Sequence, residues 1–279
     1  MTIFEKIVEL RAFIKNLKRE GKTIGFVPTM GALHEGHISL VERSVNENYF
    51  TVVSIFVNPI QFNNAQDLEK YPRTLEKDYS MLKEAGADAV FVPTVNEMYP
   101  EPLNRNYEFG QLAIVMEGEF RPGHFNGVAT VVHRLFEIVT PDKAYFGEKD
   151  YQQLMIIKSL VKNLNLPVEI IPCPISREND GLARSSRNER LTEEMRKAAP
   201  FIYQQLVKAR DSAHELTAQE LEKKIDTEFR NHKLLELEYF KIADGDTLQL
   251  IEGEIPANAY GFIAVYAGDV RLIDNIRLI

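Results

Sequence analysis

Through its first 171 residues the sequence alternates short apolar runs, rich in β-branched side chains, with longer amphipathic stretches. That rhythm leaves few folds open. Ile3, Phe4, Ile7, Leu10, Ile14 and Leu17 recur near helical spacing, and Gly21, after Lys18, Arg19 and Glu20, predicts where that helix stops. A buried strand is expected over 23–27, ended by Pro28, then a helix from 36 to about 48. Next come a β-branched strand over 51–57 and a polar loop through Asn58, Asn63, Asn64 and Asp67. A helix over 74–85, a strand over 88–92, a helix over 128–138, a strand over 143–146, a helix over 151–164 and a strand over 168–171 complete the series. When a helix separates each strand from the next, the returning strand lies parallel to the one before, with a right-handed crossover. The expected class is therefore α/β, built on a doubly wound parallel sheet.

The pattern changes near 172–176. A polar loop follows, then two helix-like stretches over 192–214 and 218–231, then strand-like runs over 235–242, 259–266 and 270–276. Helices followed by strands predict a separate α+β unit. The expected organisation is a Rossmann-like N-terminal domain, 1–175, and a smaller α+β C-terminal domain, 176–279. With 279 residues, 44% of them hydrophobic, the chain can bury a core in each. No internal repeat is visible.

Composition narrows the partners. A net charge of −8 argues against a duplex nucleic-acid binder, which needs a basic footprint, but leaves room for a local positive pocket. Cys173, the single cysteine, lies between two prolines and excludes an intramolecular disulfide; it reads as a small buried filler. No basic segment precedes an apolar one at the N-terminus, and no apolar run reaches the roughly 20 residues needed to span a bilayer. The expectation is a cytoplasmic protein that engages neither membrane nor nucleic acid.

The chemistry starts at the first strand–helix junction, Pro28-Thr29-Met30-Gly31-Ala32-Leu33-His34-Glu35-Gly36-His37. In an open α/β sheet, ligands bind beyond the carboxyl ends of the strands. A helix N-terminus there offers N–H groups to phosphate, and Gly31 and Gly36 permit close approach of a ligand to the backbone. His34 and His37 share a face if the helix has begun by His34, and two imidazoles there can donate hydrogen bonds to a triphosphate as charge develops. From this segment alone a metal pair or two structural histidines remain alternatives, although no third His or Cys lies close in sequence.

Elsewhere the residues speak less distinctly. Asn58 and Gln61 follow a strand end, and their amides suit a substrate with hydroxyls and a carboxylate, or simply form a turn. Gly147-Glu148-Lys149-Asp150 follows another strand and opens a helix; Lys149 offers a compact positive charge, while Asp150 reads equally as an N-cap. Ser185, Ser186 and Arg187 occupy a polar loop past the boundary, as phosphate partners or as a solvated loop. Arg121 and His124 sit in a loop punctuated by glycine and proline, either a mobile basic lid or surface ion-pair residues.

Five blocks, in order, carry a resemblance. His34-Glu35-Gly36-His37 resembles the His-x-Gly-His signature of the nucleotidyltransferase superfamily. The stretches 25–37, 56–62, 120–128, 146–153 and 180–188 together resemble the pantoate–β-alanine ligase (pantothenate synthetase) family. The resemblance implies ATP-dependent condensation of pantoate with β-alanine, through a pantoyl-adenylate, with release of AMP and pyrophosphate. It assigns ATP to Met30, Gly31, Ala32, Leu33, His34, Glu35, Gly36 and His37, to Gly147, Glu148, Lys149 and Asp150, and to Ser176, Arg184, Ser185, Ser186 and Arg187. Of these, His34, His37, Lys149, Ser185, Ser186 and Arg187 would carry the catalysis, with Ser185-Ser186-Arg187 as counterpart of the synthetases' Lys-Met-Ser-Lys-Ser loop. Gln61 and Gln153 would hold pantoate, with Asn58 nearby. The sequence departs from the family pattern at Arg184, where methionine is usual, and at Ser176, where an aliphatic residue is usual, which bears on the packing around adenine. Mg²⁺ is expected on the phosphates with few protein ligands, no dedicated protein metal site is expected, and the family is typically homodimeric. An adenylyltransferase that keeps the nucleotide in its product, and a nucleotide-binding regulator, are the rival classes.

Overall fold

The computed structural model describes residues 1–63, 65–101 and 105–279. Asn64, in the predicted polar loop, lies outside the described residues. The chain divides into two compact units: 1–109 with 120–148 and 153–174, and 110–119 with 149–152 and 175–279.

The first unit is built on a six-stranded parallel sheet. Its strands are β1 (Thr2–Phe4), β2 (Ile24–Thr29), β3 (Phe50–Ile55), β4 (Ala89–Phe91), β5 (Lys143–Gly147) and β6 (Glu169–Cys173), in the order β1-β4-β3-β2-β5-β6. The expected α/β class and doubly wound parallel sheet are borne out. From β2 the chain steps outward through β3 to β4, then returns to lay β5 on the other flank of β2. That reversal opens a crevice at the carboxyl ends of β2 and β5, where such sheets bind ligands.

Alternation along the strands fixes the two layers of helices. Val27, Val53, Val90, Tyr145 and Ile171, one from each of five strands, face one side with Leu40, Val41 and Leu82 from helices Glu35–Glu47 and Leu75–Glu84. Phe26 faces the other way and meets Phe136 of helix His124–Val139 edge-on, ring centroids 6.3 Å apart. Helix Ile7–Arg19 buries Ile7, Leu10, Ile14 and Leu17, the apolar stripe read from its spacing.

Several boundaries differ from expectation, each for a physical reason. Ile3 and Phe4 are not helical; they belong to β1, a three-residue strand paired with β4 at Thr2↔Ala89 and Phe4↔Phe91. Pro28 does not end β2, which continues to Thr29. The β2–β5 register runs only through Gly25 and Phe26, so at Pro28 the strand is paired on the β3 side alone and needs no second donor. Helix His124–Val139 starts four residues before the predicted 128, and its N-cap Gly123 adopts φ 80°, a left-handed conformation that glycine tolerates. The predicted helix 192–214 is two, Glu193–Ala198 and Phe201–Asp211, because Pro200 cannot supply the N–H that would continue the first.

The second unit carries a three-stranded antiparallel sheet, β7 (Glu236–Asp244), β8 (Ala259–Ala267) and β9 (Val270–Arg277), in that order. Helices Phe201–Asp211 and Ala218–Arg230 contribute Leu206, Ala209, Leu221, Ile225 and Phe229 to a core shared with Ile242, Ile263, Val265 and Leu272. Thr217 and Glu220 close a reciprocal capping box that starts the second helix. Polar contacts bind the segments 110–119 and 149–152 within this unit. The Gln152 amide donates to the carbonyls of Leu112 and Val115, both at 2.8 Å, and accepts from the Glu117 N–H at 3.1 Å. Glu117 in turn accepts two hydrogen bonds from Arg271 and one, at 2.8 Å, from the Tyr239 hydroxyl.

Candidate active site

The turn after β2 is held from behind. Thr29 Oγ1 donates to the Ser54 carbonyl at 2.7 Å and accepts the Gly31 N–H at 3.2 Å. Gly31 and Ala32 follow with φ of 78° and 50°. A Cβ on Gly31 would stand 2.9 Å from the Ile55 side chain, so the tight turn needs glycine there on both counts. Asp78, fully buried on helix Leu75–Glu84, accepts from the N–H groups of Ala32 at 3.0 Å and Leu33 at 2.9 Å and from the Thr74 hydroxyl at 3.0 Å. The carboxylate thus shapes the Met30–Leu33 turn.

His34 is not inside the helix; it is the N-cap of Glu35–Glu47, its Nδ1 accepting from Gly36 N–H at 3.1 Å. In the neutral ring that places the proton on Nε2. His34 and His37 nevertheless lie together, ring centroids 4.1 Å apart. Glu35 is exposed, Gly36 half-buried, and both stand at the head of the helix, at the crevice beside β2.

A second group gathers around the 58–61 turn. Asn58, buried to 1% exposure, donates to Gln61 Oε1 at 3.0 Å and to the Gly127 carbonyl at 3.2 Å, and accepts from the Tyr99 hydroxyl at 2.9 Å. Gln61 Nε2 lies 3.2 Å from Met30 Sδ, so Met30, Asn58 and Gln61 come together. Helix His124–Val139 backs closely onto this turn because residue 127 is glycine: a Cβ there would meet the Ile60 carbonyl oxygen at 2.5 Å. His124 is buried, with Nδ1 2.8 Å from the Gln61 carbonyl oxygen. His124 is therefore not a surface ion-pair residue; it braces the amide turn. Gln153 is half-buried in the first turn of helix Tyr151–Leu164.

A cavity of about 250 Å³ opens beside Met30, Gly31 and Ala32, walled by Ile55, Phe56, Val57, Val92 and Thr94. A cavity of about 490 Å³ in the second unit, lined by Phe229, His232, Leu235 and Tyr266, touches none of the predicted site residues. Cys173 is buried beside Arg43, and burial pushes its thiol pKa up, which fits an inert filler.

The remaining predicted residues fall at the edge of the first unit and in the second. Gly147 ends β5, and Glu148, Lys149 and Asp150 form a single 3₁₀ turn. The Lys149 ammonium lies 3.6 Å from Asp150 Oδ2, and its carbonyl accepts from Asn275 Nδ2 at 3.0 Å. Ser176 and Arg184 are joined through the backbone, Arg184 N–H donating to the Ser176 carbonyl at 3.0 Å. They flank a hairpin closed by an antiparallel bridge between Arg177 and Ala183. The Arg184 guanidinium donates to Glu178 Oε1 at 3.1 Å, a use that the methionine usual here would not have. Ser185 Oγ caps the 3₁₀ turn Ser186–Arg190 by accepting the Arg187 N–H at 3.3 Å; Ser186 is buried and Arg187 half-buried.

Sequence reasoning missed Asp78, Gln152, Arg177 and Asn275. In sequence Asp78 is one more charge on an amphipathic helix, and Asn275 one more residue in a late strand; only the tertiary partners distinguish them.

A sequence model of the family described as pantoate-beta-alanine ligase matches residues 2–277. A pantothenate synthetase of Christiangramia forsetii is 52% identical over 281 residues, covering 100% of this chain and 99% of the relative. The crystal structure of pantothenate synthetase from Thermus thermophilus superposes with a TM-score of 0.93 at 44% identity, covering 100% of this chain and 99% of that one. A pantoate-beta-alanine ligase from Francisella tularensis, solved in complex with beta-gamma ATP and beta-alanine, gives a TM-score of 0.84 at 39% identity, with 100% and 98% coverage.

Proposed function

The chain belongs to the pantoate–β-alanine ligase family, and from that premise we propose how its residues share the work. The reaction is the ATP-dependent condensation of pantoate with β-alanine to pantothenate, AMP and pyrophosphate, by way of pantoyl-adenylate. A carboxylate at neutral pH has no group that an amine can displace. Attack of the pantoate carboxylate on the α-phosphate of ATP expels pyrophosphate and supplies AMP as the leaving group. The β-alanine amine then attacks the acyl carbon of the mixed anhydride, and AMP departs. No covalent enzyme nucleophile is needed, so the residues act by positioning and charge stabilisation.

In this reading the 30–37 turn binds ATP, and the His34 and His37 rings, side by side at the head of helix Glu35–Glu47, donate to its phosphates as charge moves onto pyrophosphate. Lys149, Ser185, Ser186 and Arg187 take the same developing charge, with Gly147, Glu148, Asp150, Ser176 and Arg184 as the backbone and flanks of the nucleotide site. Gln61 and Gln153 bind the pantoate hydroxyls and carboxylate, and Asn58 orients Gln61 through their 3.0 Å hydrogen bond. The observation that carries the assignment is the His34–His37 pair at the head of the helix that leaves β2 at the sheet's reversal point.

Mg²⁺ belongs to the same proposal. When bound with ATP the ion would neutralise part of the phosphate charge; among the described residues no three His, Cys, Asp or Glu side chains converge to cage a metal. A homodimer and a cytoplasmic location complete the reading; among the described residues no helix is long and apolar enough to cross a membrane. The test is to incubate the chain with ATP, Mg²⁺, pantoate and β-alanine and to identify the products by mass. Pantothenate, AMP and pyrophosphate should appear in equal amounts; ADP with inorganic phosphate would replace the adenylate by an acyl phosphate.

A further inference from the structure

Asp274 and Asn275 are consecutive residues of β9, and consecutive residues of a strand point to opposite faces of the sheet. Both are nonetheless buried, at 5% and 4% exposure. Burying a carboxylate and an amide side by side is costly unless every polar atom is used, and here the partners lead to two separate segments. Asp274 accepts a bidentate pair from Arg177, at 2.6 and 2.9 Å, and the Asn275 N–H at 2.8 Å. The Asn275 carbonyl accepts from Arg177 as well, at 3.3 Å, and its side-chain Nδ2 donates to the Lys149 carbonyl at 3.0 Å.

Arg177 passes the constraint onward. Its Nη1 donates to the Gly181 carbonyl at 3.1 Å across the hairpin, and its guanidinium lies 3.9 Å over the Tyr203 ring. The same ring fixes Gly181, where a Cβ would approach to 2.3 Å. The Arg177–Ala183 bridge closes the hairpin, and Asn188 Nδ2 donates to the Ala183 carbonyl at 3.1 Å, tying the Ser186–Arg190 turn to its end. Replacing such a buried polar set by apolar side chains of similar volume is often neutral or stabilising. Stability alone is therefore a weak reason for it, and geometry is the stronger one.

We propose that Asn275 is a positioning residue: with Asp274 and Arg177 it locks the Lys149 turn and the hairpin leading to Ser185-Ser186-Arg187 into one fixed arrangement, so that adenylate formation depends on a residue of the last strand that touches neither substrate. The inference rests on the reading of Lys149 as a phosphate-binding residue. Within the 3₁₀ turn, fixing the Lys149 carbonyl fixes the peptide plane from which its side chain departs. Loss of that bond leaves the ammonium in place chemically but misdirected.

The test measures pantoate-dependent ATP–pyrophosphate exchange for wild type, Asn275→Ala, Asn275→Asp, Lys149→Ala and the double variant Asn275→Ala/Lys149→Ala, beside thermal melts. Asn275→Asp keeps the size but not the donor, and it stands in should the alanine variant fold poorly. Each Asn275 variant should lose about 10- to 100-fold in exchange kcat, the scale of an ångström's misplacement, with the KM for ATP little changed. The step from preformed pantoyl-adenylate and β-alanine should keep its rate. In the Lys149→Ala background, Asn275→Ala should add less than about twofold, because its effect travels through Lys149. Full additivity in the double variant, an equal fall in both half-reactions, or near wild-type exchange by folded Asn275 variants overturns the proposal. Near wild-type exchange by Lys149→Ala instead overturns the reading on which it rests, and the two failures are thereby told apart.

Discussion

Asp78→Asn removes one acceptor oxygen from a place where three donors converge, and its consequence can be worked out from the structure. The carboxylate is fully buried and takes the N–H groups of Ala32 and Leu33 on different oxygens, with the Thr74 hydroxyl sharing the second. An asparagine of the same shape keeps one oxygen and presents an NH₂ group to the other set. Whichever way the amide turns, at least one buried backbone N–H faces a donor. Leaving a buried donor unsatisfied costs about 1–3 kcal/mol. At a central figure of about 2 kcal/mol, the melting temperature should fall by about 4–8 °C for a domain of this size. Part of the loss is returned because a neutral amide is less costly to bury than a carboxylate, which favours the lower half of that range. The effect on the reaction should be larger than the effect on stability. Gly31 and Ala32 hold left-handed backbone conformations that the two N–H bonds to Asp78 maintain, and the turn carries the backbone groups assigned to ATP. A displacement of an ångström there corresponds to about a hundredfold in rate. Differential scanning calorimetry and ATP–pyrophosphate exchange measure the two effects on one sample. A variant that melts within a degree of wild type and exchanges at wild-type rate would show that the turn holds its shape without Asp78.

Gln61→Ala should weaken pantoate binding by about 1–3 kcal/mol while ATP binding stays nearly constant; calorimetric titration with each ligand checks it, and equal losses would move Gln61 out of the pantoate site. Gly127→Ala should destabilise the chain by about 1–3 kcal/mol through overpacking, since the new Cβ meets the Ile60 carbonyl oxygen at 2.5 Å and Gln61 Cα at 2.8 Å. A denaturant melt reads the stability, and a raised KM for pantoate should accompany it because the displaced backbone carries Gln61. Lys149→Met should reduce adenylate formation about 10²–10³-fold in rapid-quench assays with an unchanged melt; Lys149→Arg should restore little, because a planar fork does not replace a compact ammonium.

The fold was legible wherever local pattern and tertiary role coincide. Helix Tyr151–Leu164 carries its apolar stripe, its entry turn and its exit within one stretch of chain, and its predicted limits agree with the observed ones. β1 was not legible, because three residues hold no periodicity to distinguish Ile3 and Phe4 from the first turn of a helix. They become a strand through β4, which lies more than eighty residues away. Pro28 misled in the opposite direction. Its missing N–H is a local property, but whether a donor is needed depends on which neighbour strand reaches that far along β2, and β5 does not pair beyond Phe26.

The same division runs through the candidate site. His34, Gly36 and His37 announce themselves because a strand, a glycine-bearing turn and a helix head adjoin in sequence, so the local pattern already implies a crevice. Asp78, Asn275 and Arg177 lie 46, 126 and 97 positions away from the groups they hold, Ala32, Lys149 and Asp274 respectively. No spacing rule spans such distances. What marks these residues is a physical contradiction visible only in the fold: a carboxylate or amide at or below 5% exposure, or a guanidinium that bonds it, with hydrogen bonds directed at distant backbone or at one another. A buried polar side chain persists only if its partners are supplied, and following those partners leads from β9 to Lys149 and from helix Leu75–Glu84 to Ala32 and Leu33. The groups that would touch ATP are therefore the readable half of the site, and the groups that aim them are the half that only the folded chain reveals.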